Sequence, residues 1–72
     1  MQLIDFKLGD EYVELCNLLK LAGLAGSGGQ GKALVASGAV RVDGRLESRK
    51  TAKIRAGQVV ECEGARIRVS AS

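Results

Sequence analysis

Apolar and polar positions predict a strand followed by a helix in the first third of the chain. Residues 4–8 alternate apolar and charged side chains, which is the period of a half-buried strand. In residues 11–22 the apolar side chains recur at the spacing of one helix face, at Leu15, Leu18, Leu19 and Ala22. Asp10 can accept an early backbone N–H and cap this helix, and Gly23 is expected to end it.

A second helix is predicted to begin after Ser27. Ser27 and Gln30 have the spacing of a capping box, in which each satisfies a free N–H at the helix start. Gly38 is expected to end this helix. Its early glycines weaken its intrinsic propensity, so it must pack on the first helix. The missing β-carbons of Gly28 and Gly31 would let the two backbones approach closely, and the two helices would form a hairpin.

Short strands are predicted from residue 40 onward. The alternating residues 40–42 lead into Asp43-Gly44, which is a strong signal for a type I′ hairpin turn. Arg41 and Arg45 lie on opposite arms of this hairpin. Because successive side chains alternate between the faces of a strand, both arginines are expected to point away from the flanking valines.

The rest of the chain is predicted to contain a basic loop and further strands. Residues 48–53 are polar and basic, residues 58–63 and 66–69 have strand patterns, and Gly64-Ala65 suits a two-residue turn. The order of one strand, two helices and four or five strands predicts an α+β fold. In that fold a two-helix hairpin packs on one side of a small antiparallel sheet.

Length and composition indicate one small globular domain. The chain has 72 residues, of which 46% are hydrophobic, so a single domain over residues 1–72 is expected. No apolar run is long enough to span a membrane, and the N-terminus lacks the pattern of a signal peptide. We therefore expect a cytoplasmic protein with no membrane partner.

Composition also argues against catalysis and metal binding. The chain has no His, which removes the commonest general base and every His-activated nucleophile. Its two cysteines, Cys16 and Cys62, form no Cys-x-x-Cys pair, so we expect buried thiols and neither a metal site nor a cofactor. An enzyme that uses Asp5, Asp10 or Glu14 as a general base is disfavoured, because those acids fit a strand face, a cap and a helix surface.

Positive charge is concentrated in the second half of the chain. Residues 1–40 hold three Lys and four acidic residues, whereas residues 41–72 hold eight Lys and Arg and four acidic residues. A formal net charge of +3 therefore conceals a local basic patch. Such a patch attracts polyanions, including nucleic acid and acidic proteins. An ordinary solvated face is the alternative interpretation.

The glycine-rich segment of residues 26–33 imitates two nucleotide-binding motifs. It fits both G-x-G-x-x-G and G-x-x-x-x-G-K, but both motifs require a preceding strand, and here the preceding segment is predicted helical. The residue after Lys32 is Ala33 and not the Ser or Thr that binds magnesium in a P-loop. We therefore expect no nucleotide or other small-molecule substrate. Free N–H groups of Gly28 and Gly29, together with Lys32, could still bind one phosphate, or could form a plain helix cap.

Four segments between residues 15 and 61 form a recognisable pattern. They are a leucine-rich helix ending in Gly-Leu, a Ser that opens a second helix, a hairpin of the type Gly-x-Val-x-Val-Asn-Gly, and a Gly-Asp/Gln-x-Val strand after a basic loop. In this chain they are Leu18-Leu19-Lys20-Leu21-Ala22-Gly23-Leu24, Ser27, Gly38-Ala39-Val40-Arg41-Val42-Asp43-Gly44 and Gly57-Gln58-Val59-Val60. The pattern resembles the S-four (S4) RNA-binding domain. With the loop Glu47-Ser48-Arg49-Lys50, it is most similar to the small stand-alone bacterial members.

The chain departs from the S4 pattern at both helix starts. Many members have Arg after the Ser that opens the second helix, where this chain has Gly28. Many begin the first helix with Arg-Leu-Asp, where this chain has Glu14-Leu15-Cys16. The helices therefore contribute only Lys20 and Lys32, and binding would depend more on the basic residues that follow.

The resemblance implies a non-enzymatic protein that binds phosphates of structured RNA, with ribosomal RNA and ribosome association as candidates and a monomer as the expected state. One Tyr and one Phe offer few stacking surfaces, which favours RNA shape over single-stranded sequence. We expect the RNA-binding residues to meet on one surface beside the second helix start; they are Lys20, Ser27, Gly28, Gly29, Lys32, Arg41, Arg45, Arg49, Lys50, Lys53 and Arg55.

Two other binding functions stay open. The basic patch could dock an acidic protein, because charge steering does not distinguish the two kinds of polyanion. DNA binding is less favoured, because the second helix has only Lys32 and no Asn or Arg to contact base edges.

Overall fold

Seven strands and two helices are present in the computed structural model, which describes residues 2–72. In chain order they are β1 (Gln2–Leu8), β2 (Val13–Glu14), α1 (Leu15–Leu21), α2 (Gly28–Ala36), β3 (Val40–Val42), β4 (Arg45–Leu46), β5 (Lys53–Ile54), β6 (Val59–Cys62) and β7 (Ala65–Ala71). Within these residues, neither helix has the length and apolar character that crossing a membrane requires.

Five of the strands form one sheet in the order β1-β7-β6-β3-β4, and β2 pairs with β5 in a second, two-stranded sheet. The α+β class and the helix hairpin are confirmed. The sheet is mixed, however, because β1 runs parallel to β7 whereas the other pairs are antiparallel. The prediction of an entirely antiparallel sheet was therefore wrong for this pair. Nearly the whole chain connects β1 to β7, which leaves room for a parallel crossover.

Helix α1 begins later than the sequence predicts. The predicted helix covered residues 11–22 with Asp10 as its cap, but the residue before α1 is Glu14, whose side chain makes no capping hydrogen bond. Residues 13–14 instead form β2, and the first N–H groups of α1 donate to backbone carbonyls of a distant loop. These long-range hydrogen bonds replace the local cap.

Helix α2 begins as predicted. The Ser27 hydroxyl oxygen accepts a hydrogen bond from the Gln30 N–H at 3.1 Å. The Gln30 side-chain oxygen in turn accepts one from the Gly26 N–H. This reciprocal pair corresponds to the predicted capping box. It differs from the standard form because the Gln30 side chain accepts from the N–H of Gly26 and not from that of the cap residue Ser27.

The two helices approach most closely at Gly31. A β-carbon at this position would lie 2.5 Å from the backbone oxygen of Cys16 in α1. The predicted close approach is therefore confirmed at Gly31. The same prediction was wrong for Gly28, where a β-carbon would meet nothing within 4 Å.

Two tight turns set the register of the sheet. Asp43 and Gly44 have φ values of 52° and 81°, as a type I′ turn requires at both central residues. The turn between β6 and β7 has the same form at Glu63 and Gly64, with φ values of 48° and 80°. The predicted turn at Gly64-Ala65 was thus displaced by one residue, and Ala65 is buried as the first residue of β7.

The core lies between the helix hairpin and one face of the five-stranded sheet. The largest fully buried side chains come from the two helices, the five-stranded sheet and β5, and are Leu15, Leu18, Leu19, Val35, Val40, Ile54, Val60 and Ile67. Cys16 and Cys62 are buried free thiols, as predicted. Burial, followed by the charge of Glu63, raises the pKa of the Cys62 thiol.

Candidate functional site

Residues 47–52 form a basic loop whose backbone is attached to the start of helix α1. The N–H of Leu15 donates to the carbonyl of Ala52 at 2.9 Å, and the N–H of Cys16 donates to the carbonyl of Lys50 at 3.0 Å. Ala52 is buried in the core. Because the backbone faces the helix, the charged side chains of Arg49 and Lys50 are left exposed.

An open concavity of about 910 Å³ lies beside this loop, and five cationic side chains line it. Helix α2 contributes one, the basic loop two, and β5 with the residue after it the others. All five are exposed. We call this group the basic surface; its members are Lys32, Arg49, Lys50, Lys53 and Arg55.

One cation of the basic surface is paired with an acid. The Arg49 guanidinium donates to both carboxylate oxygens of Glu47, at 3.0 and 3.2 Å. The backbone N–H of Arg49 donates to the same carboxylate at 3.0 Å. The side-chain hydrogen bonds from Arg49 lower the pKa of Glu47, and Glu47 raises the pKa of Arg49. The Arg49 side chain is nevertheless 78% exposed, so its outer edge is accessible.

The other four cations of the basic surface form no ion pair in the described chain. Among residues 2–72 the ion pairs within 4.0 Å are Arg49–Glu47, Arg66–Glu61 and Arg68–Asp5. Lys32, Lys50, Lys53 and Arg55 thus form no ion pair at this distance, although Glu14 is the cross-strand partner of Lys53, and the concavity carries an excess of positive charge.

The exposed ring of Tyr12 lies at one border of the basic surface. Lys53 Nζ is 5.0 Å from the ring centroid and Arg55 Cζ is 5.7 Å from it, which is the range of cation–π contacts. Tyr12 was not among the predicted site residues. The pairing of β2 with β5 brings it there, and no local pattern around residue 12 signals that pairing.

The start of helix α2 lies one turn before Lys32. Gly28 and Lys32 are four residues apart and therefore share a helix face. Ser27 uses its hydroxyl as the cap, and within the described chain no hydrogen-bond partner receives the N–H groups of Gly28 and Gly29. These donors and the helix dipole add to the positive potential near Lys32.

The structure does not bring all predicted site residues to the basic surface. Lys20, in the last turn of α1, lies outside the concavity. Arg41 pairs with Leu46 and Glu61, whereas Arg45 pairs with Val42. Because cross-strand partners share a face, the two arginines lie on opposite faces of the hairpin.

The register shows that the expected direction was wrong for Arg45 and right for Arg41. Arg45 lies on the face of Val42, so it does not point away from the valines. Arg41 lies on the solvent face of the sheet, with its guanidinium 3.5 Å from the Gly44 carbonyl. Convergence on one concavity holds for the five cations of the basic surface and fails for both of these arginines.

Comparisons with known proteins agree with this architecture. The family model of the S4 domain matches residues 6–70. YbcJ proteins of Escherichia coli (strain K12) and of Shigella flexneri are each 51% identical to the chain over 67 residues, which cover 92% of this chain and 96% of the relative. The solution structure of E. coli YbcJ superposes with a TM-score of 0.74 at 46% identity, covering 97% of this chain and 90% of that one. That structure is described as revealing an alfaL motif involved in RNA binding.

Proposed function

The chain belongs to the S4 domain family, and from this premise we propose that it is an RNA-binding protein whose basic surface binds the phosphates of structured RNA. The observation that supports this most directly is the concavity in which four unpaired cations and Arg49 meet, although they come from separate segments of the chain. The described relationship of E. coli YbcJ to RNA binding supports the same function.

The cations would contact phosphates in different ways. Lys32, Lys50 and Lys53 are flexible point charges that neutralise phosphates, while the planar Arg guanidinium suits bidentate phosphate contacts. Glu47 fixes the orientation of Arg49 and leaves its outer edge for RNA. The free N–H groups of Gly28 and Gly29 would donate hydrogen bonds to a phosphate beside Lys32.

Structured RNA is favoured over a single-stranded sequence. Contacts to phosphates fix position and orientation but do not distinguish bases. Phe6 is half-buried against the core, so Tyr12 is the exposed aromatic residue of the described chain. We propose folded or double-stranded RNA, such as ribosomal RNA, bound by a monomeric, non-enzymatic protein in the cytoplasm.

Salt titration of RNA binding tests this function. Four or five phosphate contacts predict a slope of log K against log salt of about −3 to −4.5, because each contact contributes about −0.7 to −0.9. Fluorescence anisotropy with a labelled RNA hairpin measures this slope. Lys50→Glu should weaken binding and reduce the slope by about one unit.

A matched variant separates the basic surface from net charge. Lys7→Glu makes the same charge change at an exposed residue of β1, outside the concavity. It should leave the RNA affinity and the salt slope nearly unchanged at 0.1 M salt. Salt-independent binding, or equal effects of the two reversals, would contradict the proposal. If an acidic protein is retained equally by wild type and Lys50→Glu while RNA is lost, RNA binding is the specific role of this surface.

A further inference from the structure

Tyr12 lies between the basic surface and a second open concavity. Its side chain contacts Lys53 and Arg55 through its ring and also lines the second concavity, which measures about 600 Å³. Tyr12 is 38% exposed, although a large aromatic side chain in a small domain usually contributes to the core. The same ring is therefore accessible from solvent and adjacent to two unpaired cations.

The second concavity differs from the first in charge and in polarity. Among residues 2–72, no Lys or Arg lines it, and its walls include the apolar side chains of Phe6, Leu8 and Leu21. Leu21 is 59% exposed. The polar lining includes three carboxylates that form no ion pair in the described chain, namely Asp10, Glu11 and Glu14.

These properties suit a nucleobase better than a phosphate. The carboxylates repel the RNA backbone, whereas a base is flat and uncharged and stacks on aromatic and apolar surfaces. A base stacked on Tyr12 would have its own phosphate near the border of the concavity, where Lys53 and Arg55 are available. The position of Tyr12 thus allows one nucleotide to use both concavities.

Building on the proposed function, we infer that Tyr12 stacks on one unpaired nucleobase of the bound RNA while Lys53 and Arg55 contact the adjacent phosphate. The preferred RNA is then a double helix interrupted by an unpaired nucleotide, because a paired base cannot reach the ring without leaving its stack. A base that is already unpaired avoids the energetic cost of breaking its base pair.

Three RNA hairpins with the same stem and loop sequences test the inference. One is perfectly paired, one has a single adenine bulge, and one has an abasic bulge that keeps the backbone but lacks the base. We expect the wild-type protein to bind the adenine bulge about fivefold to 150-fold more tightly than the abasic bulge, the range of base–aromatic stacking contacts.

Two variants of Tyr12 test whether its ring causes the preference for the adenine bulge over the abasic bulge. Tyr12→Leu should remove the preference for adenine over the abasic site, whereas Tyr12→Phe keeps a ring and should retain most of it. Thermal unfolding of both variants checks that each is folded at the assay temperature. Because the readout is the ratio of two affinities measured on one variant, a partial loss of folded protein cancels.

The outcomes distinguish this inference from the proposed function. If Tyr12→Leu weakens all three RNAs equally, the ring only positions Lys53 and Arg55, and stacking is refuted. If the wild type binds adenine and abasic bulges equally, the inference fails while phosphate binding stands. If no hairpin binds with a salt dependence, the proposed function itself fails.

Discussion

Gly31→Ala tests the packing that holds the helix hairpin together. A β-carbon at Gly31 would lie 2.5 Å from the Cys16 carbonyl oxygen and 3.2 Å from the Cys16 carbonyl carbon. Both atoms are backbone, so no side-chain rotation relieves the overlap, and the helices must separate. Cys16 also donates its N–H to the carbonyl of Lys50, so the displacement reaches the basic loop.

The energetic cost of Gly31→Ala is the difference between two effects. Overpacking in a closely packed region costs about 1–3 kcal/mol, and the overlap with immobile backbone favours the upper part of this range. Replacing Gly by Ala in a helix returns at most about 1 kcal/mol. We expect the free energy of unfolding to fall by about 1–2 kcal/mol, which lowers the melting temperature by about 5–15 °C in a domain of this size.

Urea denaturation and thermal melting, both followed by far-UV circular dichroism, measure the effect. Gly28→Ala is the matched control in the same helix, because its β-carbon would meet nothing within 4 Å. The control should be as stable as the wild type or slightly more stable. The reasoning is refuted if Gly31→Ala equals the wild type, or if the two substitutions destabilise equally.

Three further substitutions test local features of the fold. Ser27→Ala removes the oxygen that caps the Gln30 N–H and should cost about 1 kcal/mol in urea denaturation, with Ser27→Asp retaining most of the stability. Gly44→Ala forces a β-carbon onto a residue with φ of 81° and should cost about 1–2 kcal/mol, whereas Gly44→Asn should lower the urea midpoint less. Arg49 holds the pKa of Glu47 below its usual 4.5, so this stabilisation is complete above that pH and is lost as the pH falls through the lowered pKa. Glu47→Gln should therefore be less stable than the wild type at about pH 7, and unfolding at about pH 2 should show no difference; a constant difference would contradict this.

Features that depend on neighbouring residues could be predicted from the sequence. The Ser27–Gln30 cap and the Asp43-Gly44 turn each depend on residues within four positions, and both are present. The helix hairpin and the α+β class follow from the spacing of apolar residues, which indicates the type of each element and its buried face. The resemblance to the S4 pattern predicted the domain family, which the family model confirms over residues 6–70.

Features that depend on strand partners could not be predicted. Alternation identified β1 as a strand but says nothing about its partner or its direction relative to β7. The predicted start of α1 was wrong because its first N–H groups donate to carbonyls of the basic loop and not to Asp10. Tyr12 owes its position to the pairing of β2 with β5, which no local pattern signals. Arg45 is different, because the predicted two-residue turn at Asp43-Gly44 already places it opposite Val42, so its face follows from that turn.

The attachment of the basic loop to helix α1 has a consequence for affinity. Loops that become ordered only on binding lose conformational entropy at that moment, which subtracts from the affinity. Here the carbonyls of Lys50 and Ala52 are already hydrogen-bonded to α1 in the free protein, so much of this entropic cost is met during folding. A synthetic peptide of residues 47–55 has the same charges without this pre-organisation, and it should be a much weaker ligand than the intact domain.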